Sequence, residues 1–176
     1  MGCYGDGGVV FAQNESFASK IKMLLVHGQN QRYHHRHVGI GGRLDTLHAA
    51  VLLKKYSFYE QEISLRQSVA ESYTSPLTSS GDVRLPMIRN DRASVWVQYT
   101  IRSKSREEIQ GMLKEAEIPS AVRYPMPLHL HECFQYLENP LGSFPVSEFA
   151  SREVISLPMN PYIEEDESQY VAKALS

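Results

Sequence analysis

Two histidine-rich stretches carry the side chains with the most evident metal chemistry. His34-His35-Arg36-His37 and His129-x-His131-x-Cys133 offer imidazoles and a thiol, which are ligands that zinc accepts in proteins. Their spacing argues against such a site, because adjacent histidines point in divergent directions and neither stretch has the Cys-x-x-Cys or His-x-x-x-His pattern. We therefore predict solvent-facing loops and no metal. Cys3 and Cys133 are predicted to be packing residues.

Arg43 and the pair Arg123-Tyr124 have the side chains suited to binding an anionic ligand, because a guanidinium fork matches carboxylate and phosphate oxygens. Arg43 precedes Leu44-Asp45 at a predicted helix start, where a surface ion pair of little energetic value is the competing interpretation. A surface charge is an equal alternative for Arg123, and simple packing is the alternative for Tyr124. An arginine at 123 cannot act as a proton carrier.

Composition excludes several classes of function. The net charge of −2 gives no electrostatic argument for nucleic-acid binding. No apolar run approaches the roughly 20 residues that a membrane helix needs. Two cysteines give no disulfide framework, which predicts a reducing cytoplasm. The 176 residues suffice for one sizeable domain, or for a small domain plus a piece of another.

The first 43 residues are predicted to hold a turn, a short strand, a helix and a long connection. The glycine-rich run 2–8, taken alone, predicts a hairpin turn without a ligand, and Val9-Val10-Phe11 predicts a strand after it. Asn14 is a predicted N-cap, because apolar residues at helical spacing follow until Gly28 ends the helix. Residues 28–43 are predicted to form a connection without regular structure.

A seven-residue apolar repeat predicts a single helix over residues 44–75, ended by Pro76 and the Ser79-Ser80-Gly81 cluster. Its length would be roughly 45 Å, which suits a connector between two domains. The apolar face is predicted to be core, not a coiled-coil seam. That face consists of Leu44, Leu47, Val51, Phe58, Leu65 and Val69.

Beyond Gly81 the pattern predicts a small mixed sheet flanked by helices in about two layers, an α/β or α+β fold. Alternation over Val95 to Arg102 predicts a strand, and Ser105 with Glu108 predicts the capping box of a helix that Pro119 follows. The remaining predictions are a strand over 121–124, a loop over 125–129, a helix opening at Pro145 with Val146, Phe149, Ala150 and Val154 on one side, and a last amphipathic helix that includes Tyr170, Val171, Ala174 and Leu175.

Short motifs in a fixed order carry a resemblance to a known family. Each is weak alone, but their order and compatible spacing are specific. The chain resembles, over essentially its whole length, the C-terminal part of the DegT-type (StrS-like) sugar-nucleotide aminotransferases, close to the UDP-sugar 3-aminotransferases. These enzymes use pyridoxal phosphate (PLP). The motifs are Gly2-Cys-Tyr-Gly-Asp-Gly-Gly8, His27-Gly28-Gln29, Arg32-Tyr33-His34-His35, Gly39-Ile40, Arg43-Leu44-Asp45, Ala49-Ala50, Ser94-Val95-Trp96-x-Gln98-Tyr99, Tyr124-Pro-x-Pro-Leu-His129 and Leu157-Pro158-Met159-x-Pro161-Tyr162.

The resemblance implies a fold-type I PLP transferase. Residues 1–43 would be the tail of the large PLP domain, 44–75 the long connecting helix and 76–176 the small C-terminal α/β domain. Family enzymes transfer an amino group, usually from glutamate, to a keto group of a nucleotide-linked sugar. Their products enter polysaccharide, lipopolysaccharide or antibiotic biosynthesis, and a homodimer in the cytoplasm is expected.

The resemblance also implies which residues act. The lysine that binds PLP would lie upstream of Met1, so we expect no catalytic residue, no bound PLP and no activity from this chain alone. Gly41 stands where the family has an asparagine that contacts the cofactor phosphate. Arg43, Arg123 and Tyr124 match substrate-binding positions, although the family has histidine at 123. These replacements leave a non-catalytic remnant, or a dimerisation or interaction module, as the alternative function.

Overall fold

The computed structural model describes residues 2, 4–79 and 81–175. The chain divides into two compact units, residues 1–59 and 60–176. The predictions that involve Met1, Cys3 and Ser80 lie outside the described residues. The architecture is mixed α and β, which confirms the predicted fold class.

The first helix of the first unit, α1, spans Glu15–Leu24 and begins where the sequence predicts. The Asn14 side chain accepts a hydrogen bond from the Phe17 N–H at 3.0 Å, so the N-cap is confirmed. After the helix ends, Gly28 adopts a φ of 76° and donates its N–H to the Met23 carbonyl at 2.8 Å. Gly28 therefore satisfies a helix-end carbonyl in the conformation that glycine adopts most readily.

Two predictions for the first unit are wrong. Residues 9–11 form no strand, because they have no pairing partner within the described part of the chain. The connection 28–43 is not structureless, since β1 (Gln29–Gln31) and β2 (His34–His35) pair as an antiparallel ribbon. The ribbon is held by backbone hydrogen bonds between polar residues, which leave no apolar periodicity for a sequence pattern to detect.

The predicted helix over 44–75 is two helices. α2 spans Thr46–Tyr56 and α3 spans Tyr59–Leu77, with Ser57-Phe58 between them. The Ser57 hydroxyl donates to the Lys54 carbonyl at 2.8 Å, which competes with continuation of the helix. Pro76 lies inside the last turn of α3 instead of ending it.

The hydrophobic core lies in the second unit. The predicted core face over 44–75 is therefore wrong for Leu44, Leu47 and Phe58, which are exposed, and right for Val69, which is buried. In the first unit the exposed large apolar side chains are Tyr4, Val9, Val10, Phe11, Phe17, Leu25, Tyr33, Val38, Ile40, Leu44, Leu47, Leu53, Tyr56 and Phe58.

The sheet of the second unit is built on two antiparallel strands, β3 (Tyr99–Arg102) and β4 (Val154–Leu157). Tyr99 and Ile101 are fully buried, so the predicted alternation is confirmed for these positions. The strand is shorter than the predicted 95–102, because Trp96 has a φ of 44° that interrupts extended backbone. β4 is not among the sequence predictions, and the predicted strand over 121–124 reduces to one bridge between Ala121 and Ser156.

Besides α3, whose Tyr73 ring packs on that of Tyr99, the second unit contains α4 (Arg106–Glu115), α5 (Pro145–Glu153) and α6 (Glu165–Lys173). The predicted capping box of α4 does not form, since the Ser105 side chain makes no cap hydrogen bond. Pro145 opens α5 as predicted, but that helix buries Glu148 and Ser151 while Val146 and Phe149 are exposed. None of the described helices is both long and apolar enough to cross a bilayer.

Two short 3₁₀ helices, Leu128–Leu130 and Glu132–Leu137, precede α5. Cys133 lies in the second and is exposed, so its predicted packing role is wrong. A two-turn 3₁₀ segment at the surface buries too little of its circumference to cover every apolar side chain.

Candidate functional site

In the first unit, Arg43 lines a cavity of about 810 Å³. Gly7 and Gly8 of the glycine-rich run form part of the wall, and Lys22 of α1 lies on the lining with Asp6. The structure therefore brings together the glycine-rich run and Arg43, two features more than 30 residues apart in sequence. Two cations and one carboxylate give this lining a net positive charge, which favours an anionic ligand.

Gly41 presents no side chain to a ligand. Its backbone forms an antiparallel bridge with Val26. A Cβ built at Gly41 would lie 3.1 Å from the Cε1 of His27, which is itself held at a φ of 60°. A larger side chain here would press on the imidazole, so residue 41 contributes no phosphate-binding side chain.

The residues of the first unit do not by themselves fit PLP. The cofactor needs a lysine amine that is partly neutral, which burial produces. Lys22 lies in the last turn of α1 and is exposed, so it is not a buried amine of this kind. Gly41 also offers no side chain to a ligand, so we assign no step of PLP chemistry to these residues.

In the second unit, Arg123 and Tyr124 line a cavity of about 420 Å³. Gln98, Thr100 and Ser147 share this lining and were not singled out as site residues from the sequence. The strand alternation in the sequence could have indicated Gln98 and Thr100, because they lie on the face opposite to buried Tyr99 and Ile101. Nothing in the sequence distinguished Ser147. The apolar part of the lining consists of Met126, Pro127, Leu128, Ala150 and Val154.

Tyr124 is turned out of the core. The residue is 78% exposed and its φ is 59°, a left-handed conformation that residues with a Cβ rarely adopt. Packing therefore does not explain this side chain. Strained backbone of this kind is concentrated at ligand sites, which favours the substrate-side interpretation of the pair.

A buried pair joins the segments on either side of this cavity. His129 Nε2 lies 3.0 Å from Glu148 Oε1, and both side chains are less than 10% exposed. The same carboxylate oxygen accepts the backbone N–H groups of Gly142 at 2.8 Å and Phe144 at 3.2 Å. His129 follows Leu128 and Glu148 follows Ser147, so the pair connects two residues of the lining. Cavity shape therefore depends on this contact.

The carboxyl group of Glu148 is arranged to be ionised. Burial opposes ionisation, but the hydrogen bonds from Gly142, Phe144 and His129 outweigh it and lower the pKa of Glu148. Because a carboxylate only accepts hydrogen bonds, Nε2 of His129 carries the proton in this contact.

The histidine-rich stretches are not assembled into a metal site. His34 and His35 form β2, and His35 Nδ1 lies 2.9 Å from the His27 carbonyl. His129 Nε2 is hydrogen-bonded to Glu148 Oε1. Among residues 2, 4–79 and 81–175, no group of three or more histidine, cysteine, aspartate or glutamate side chains is placed to hold a metal ion.

A family profile described as the DegT/DnrJ/EryC1/StrS aminotransferase family matches residues 1–176, the whole of this sequence. The chain belongs to this family. The match confirms the family indicated by the sequence motifs.

Individual relatives support the assignment. The chain is 42% identical over 176 residues to a UDP-2-acetamido-2-deoxy-3-oxo-D-glucuronate aminotransferase of Pseudomonas aeruginosa, covering 100% of this chain and 48% of that protein. A DegT DnrJ EryC1 StrS aminotransferase from Brucella abortus has a TM-score of 0.92 at 35% identity, covering 99% of this chain and 46% of that one. The structure of S. venezuelae DesV in complex with ketimine intermediate has a TM-score of 0.94 at 33% identity. The match covers 98% of this chain and 47% of that one. The chain thus spans about half the length of the relatives it matches.

Proposed function

We propose that this chain supplies the C-terminal half of a PLP-dependent aminotransferase that acts on a keto group of a nucleotide-linked sugar. The observation that carries the proposal is the family match over residues 1–176, and the cavity at Arg123 and Tyr124 supports it. Arg43, Arg123 and Tyr124 contact the substrate. Residues 1–43 belong to the large PLP domain, 44–75 connect the domains, and 76–176 form the small domain.

Amino transfer in this proposal needs a lysine-bearing segment outside these 176 residues. None of the lysines in the sequence follows the Ser-x-Lys context of the family, and the first unit does not fit PLP by itself. The proposed enzyme takes its amino group from glutamate, works as a homodimer in the cytoplasm and serves polysaccharide or lipopolysaccharide biosynthesis.

Reconstitution tests this function. The chain is fused behind the lysine-bearing half of the Pseudomonas aeruginosa relative, and visible absorption with PLP and glutamate-dependent conversion of a keto UDP-sugar are measured. The fusion is expected to bind PLP and turn over, while the 176-residue chain does neither. The matched control carries alanine in place of the PLP lysine. A fusion that folds and binds PLP but never transfers nitrogen would contradict the proposal.

A second candidate function is self-association without catalysis. It is favoured by exposed apolar side chains on α2, where Leu47 is 71% exposed and Leu53 is 74% exposed. Sedimentation of the isolated chain is expected to show dimers or larger species, and L47K/L53K is expected to shift the population toward monomer. A concentration-independent monomer would rule this function out.

A further inference from the structure

The cavity at Arg123 combines one cation with neutral hydrogen-bonding groups. At about 420 Å³ it falls within the size range of small-molecule sites. Among the described residues, the side chains of Gln98, Ser147 and Tyr124 make no hydrogen bond to protein, so these polar groups are free to bind a ligand. Thr100 is different, because its hydroxyl contacts that of Ser156 at 2.9 Å.

The charge of the lining narrows the ligand class. Arg123 is the charged residue of this lining, and no aspartate or glutamate faces it there. The guanidinium forms no ion pair within the described part of the chain. A planar fork binds one carboxylate through two parallel hydrogen bonds, whereas a single arginine leaves a diphosphate partly uncompensated.

We propose that this cavity selects a sugar acid, with Arg123 binding the carboxylate of a hexuronate. Gln98 and Ser147 bind ring hydroxyls, and the apolar wall at Leu128 and Val154 covers the carbon face of the sugar. The proposal rests on the function proposed above and specifies its sugar class. It also gives Arg123 a binding role that does not require proton transfer.

Binding to the purified 176-residue chain tests the proposal without any amino transfer. Backbone amide resonances are followed by NMR during titration with D-glucuronate, D-glucose, inorganic phosphate and UDP. D-Glucuronate is expected to shift amides near residues 98–100, 123–128 and 147–151 with a Kd on the order of millimolar. D-Glucose, which lacks the carboxylate, is expected to bind at least about tenfold more weakly.

Substitutions assign the effect to Arg123. R123L is expected to weaken D-glucuronate binding at least about tenfold, and R123K by less, because an ammonium keeps the charge but loses the fork. The control R92L removes an exposed arginine outside the cavity and leaves binding unchanged.

Equal responses to D-glucuronate and D-glucose, or unchanged binding by R123L and R123K, would overturn the proposal. A stronger response to phosphate or UDP at the same amides would also overturn it, by assigning Arg123 to a phosphate. None of these results bears on reconstituted amino transfer, and a failed reconstitution would leave this binding test intact.

Discussion

Replacing Tyr73 by phenylalanine tests how α3 holds the segment that follows β4. The Tyr73 side chain is fully buried, and its hydroxyl donates to the Pro158 carbonyl at 3.0 Å. Its ring lies 5.1 Å from that of Tyr99. Y73F keeps the ring and removes the hydrogen bond, so the free energy of unfolding at neutral pH is expected to fall by about 1 kcal/mol.

The same hydroxyl makes stability sensitive to alkali. Burial first, and then the charges of Glu167 and Tyr99, raise the pKa of Tyr73 to about 12 from 10.0. Below pH 10 the group is neutral in both states and its contribution is complete. Between about pH 10 and 12 the unfolded chain loses the proton while the folded protein retains it, so stability falls across this window.

The size of the alkaline effect follows from the pKa shift. Two pKa units correspond to at most about 2.7 kcal/mol. Tyr73 borders a solvent-open cavity of about 570 Å³, so screening reduces the expected loss to about 1–2 kcal/mol. Because Y73F lacks this loss, the two proteins are expected to approach equal stability, or to reverse in order, near pH 11.5.

Urea unfolding followed by circular dichroism at about pH 8 and about pH 11.5 measures both effects. Groups that do not interact with Tyr73 titrate in both proteins and cancel in the difference. The control Y136F changes a tyrosine that is 75% exposed, and its difference from the parent protein is expected to stay near zero at both pH values. A Y73F difference that stays constant from pH 8 to 11.5 would refute the reasoning.

Two further substitutions probe the segments around the candidate site. In Gly28→Ala the new Cβ would overlap the His37 carbonyl, and the backbone φ of 76° disfavours a side chain. Faster amide hydrogen exchange is therefore expected over residues 24–40. The control Gly8→Ala places its Cβ in open space and is expected to leave exchange unchanged. Glu148→Gln removes a carboxylate whose pKa is lowered from its ordinary 4.5, so the parent protein is expected to lose more stability than the variant as pH falls below about 4.5, where the unfolded chain takes up the proton first; melting temperatures between about pH 6 and 3 check this, and parallel curves for the two proteins would argue against it.

Features encoded within a few neighbouring residues could be predicted from the sequence. The Asn14 side chain reaches an N–H three residues along, and Pro145 fits the first turn of α5, so both helix starts were predicted correctly. The family could also be predicted, because its motifs are read as residue identities and need no contacts. The alternation that placed Tyr99 and Ile101 inside is likewise local.

Burial and pairing could not be predicted, because both depend on residues distant in sequence. Four residues of β4 carry too little periodicity to identify a strand, and their antiparallel pairing with β3 joins positions more than 50 residues apart. The pattern over 44–75 is helical in both halves, but only packing decides which apolar side chains are covered.

The candidate site divides in the same way. Arg43 and Arg123 could be named as candidates from residue identity, because a guanidinium binds anions wherever a ligand reaches it. Tyr124 could be named because it lies in a family motif. Only the folded chain placed Gln98, Thr100 and Ser147 beside Arg123. The burial of Glu148 was also decided by the tertiary structure. A glutamate on a helix is ordinarily solvated. Here it is a buried anion, because Gly142, Phe144 and His129 all donate hydrogen bonds to one of its oxygens.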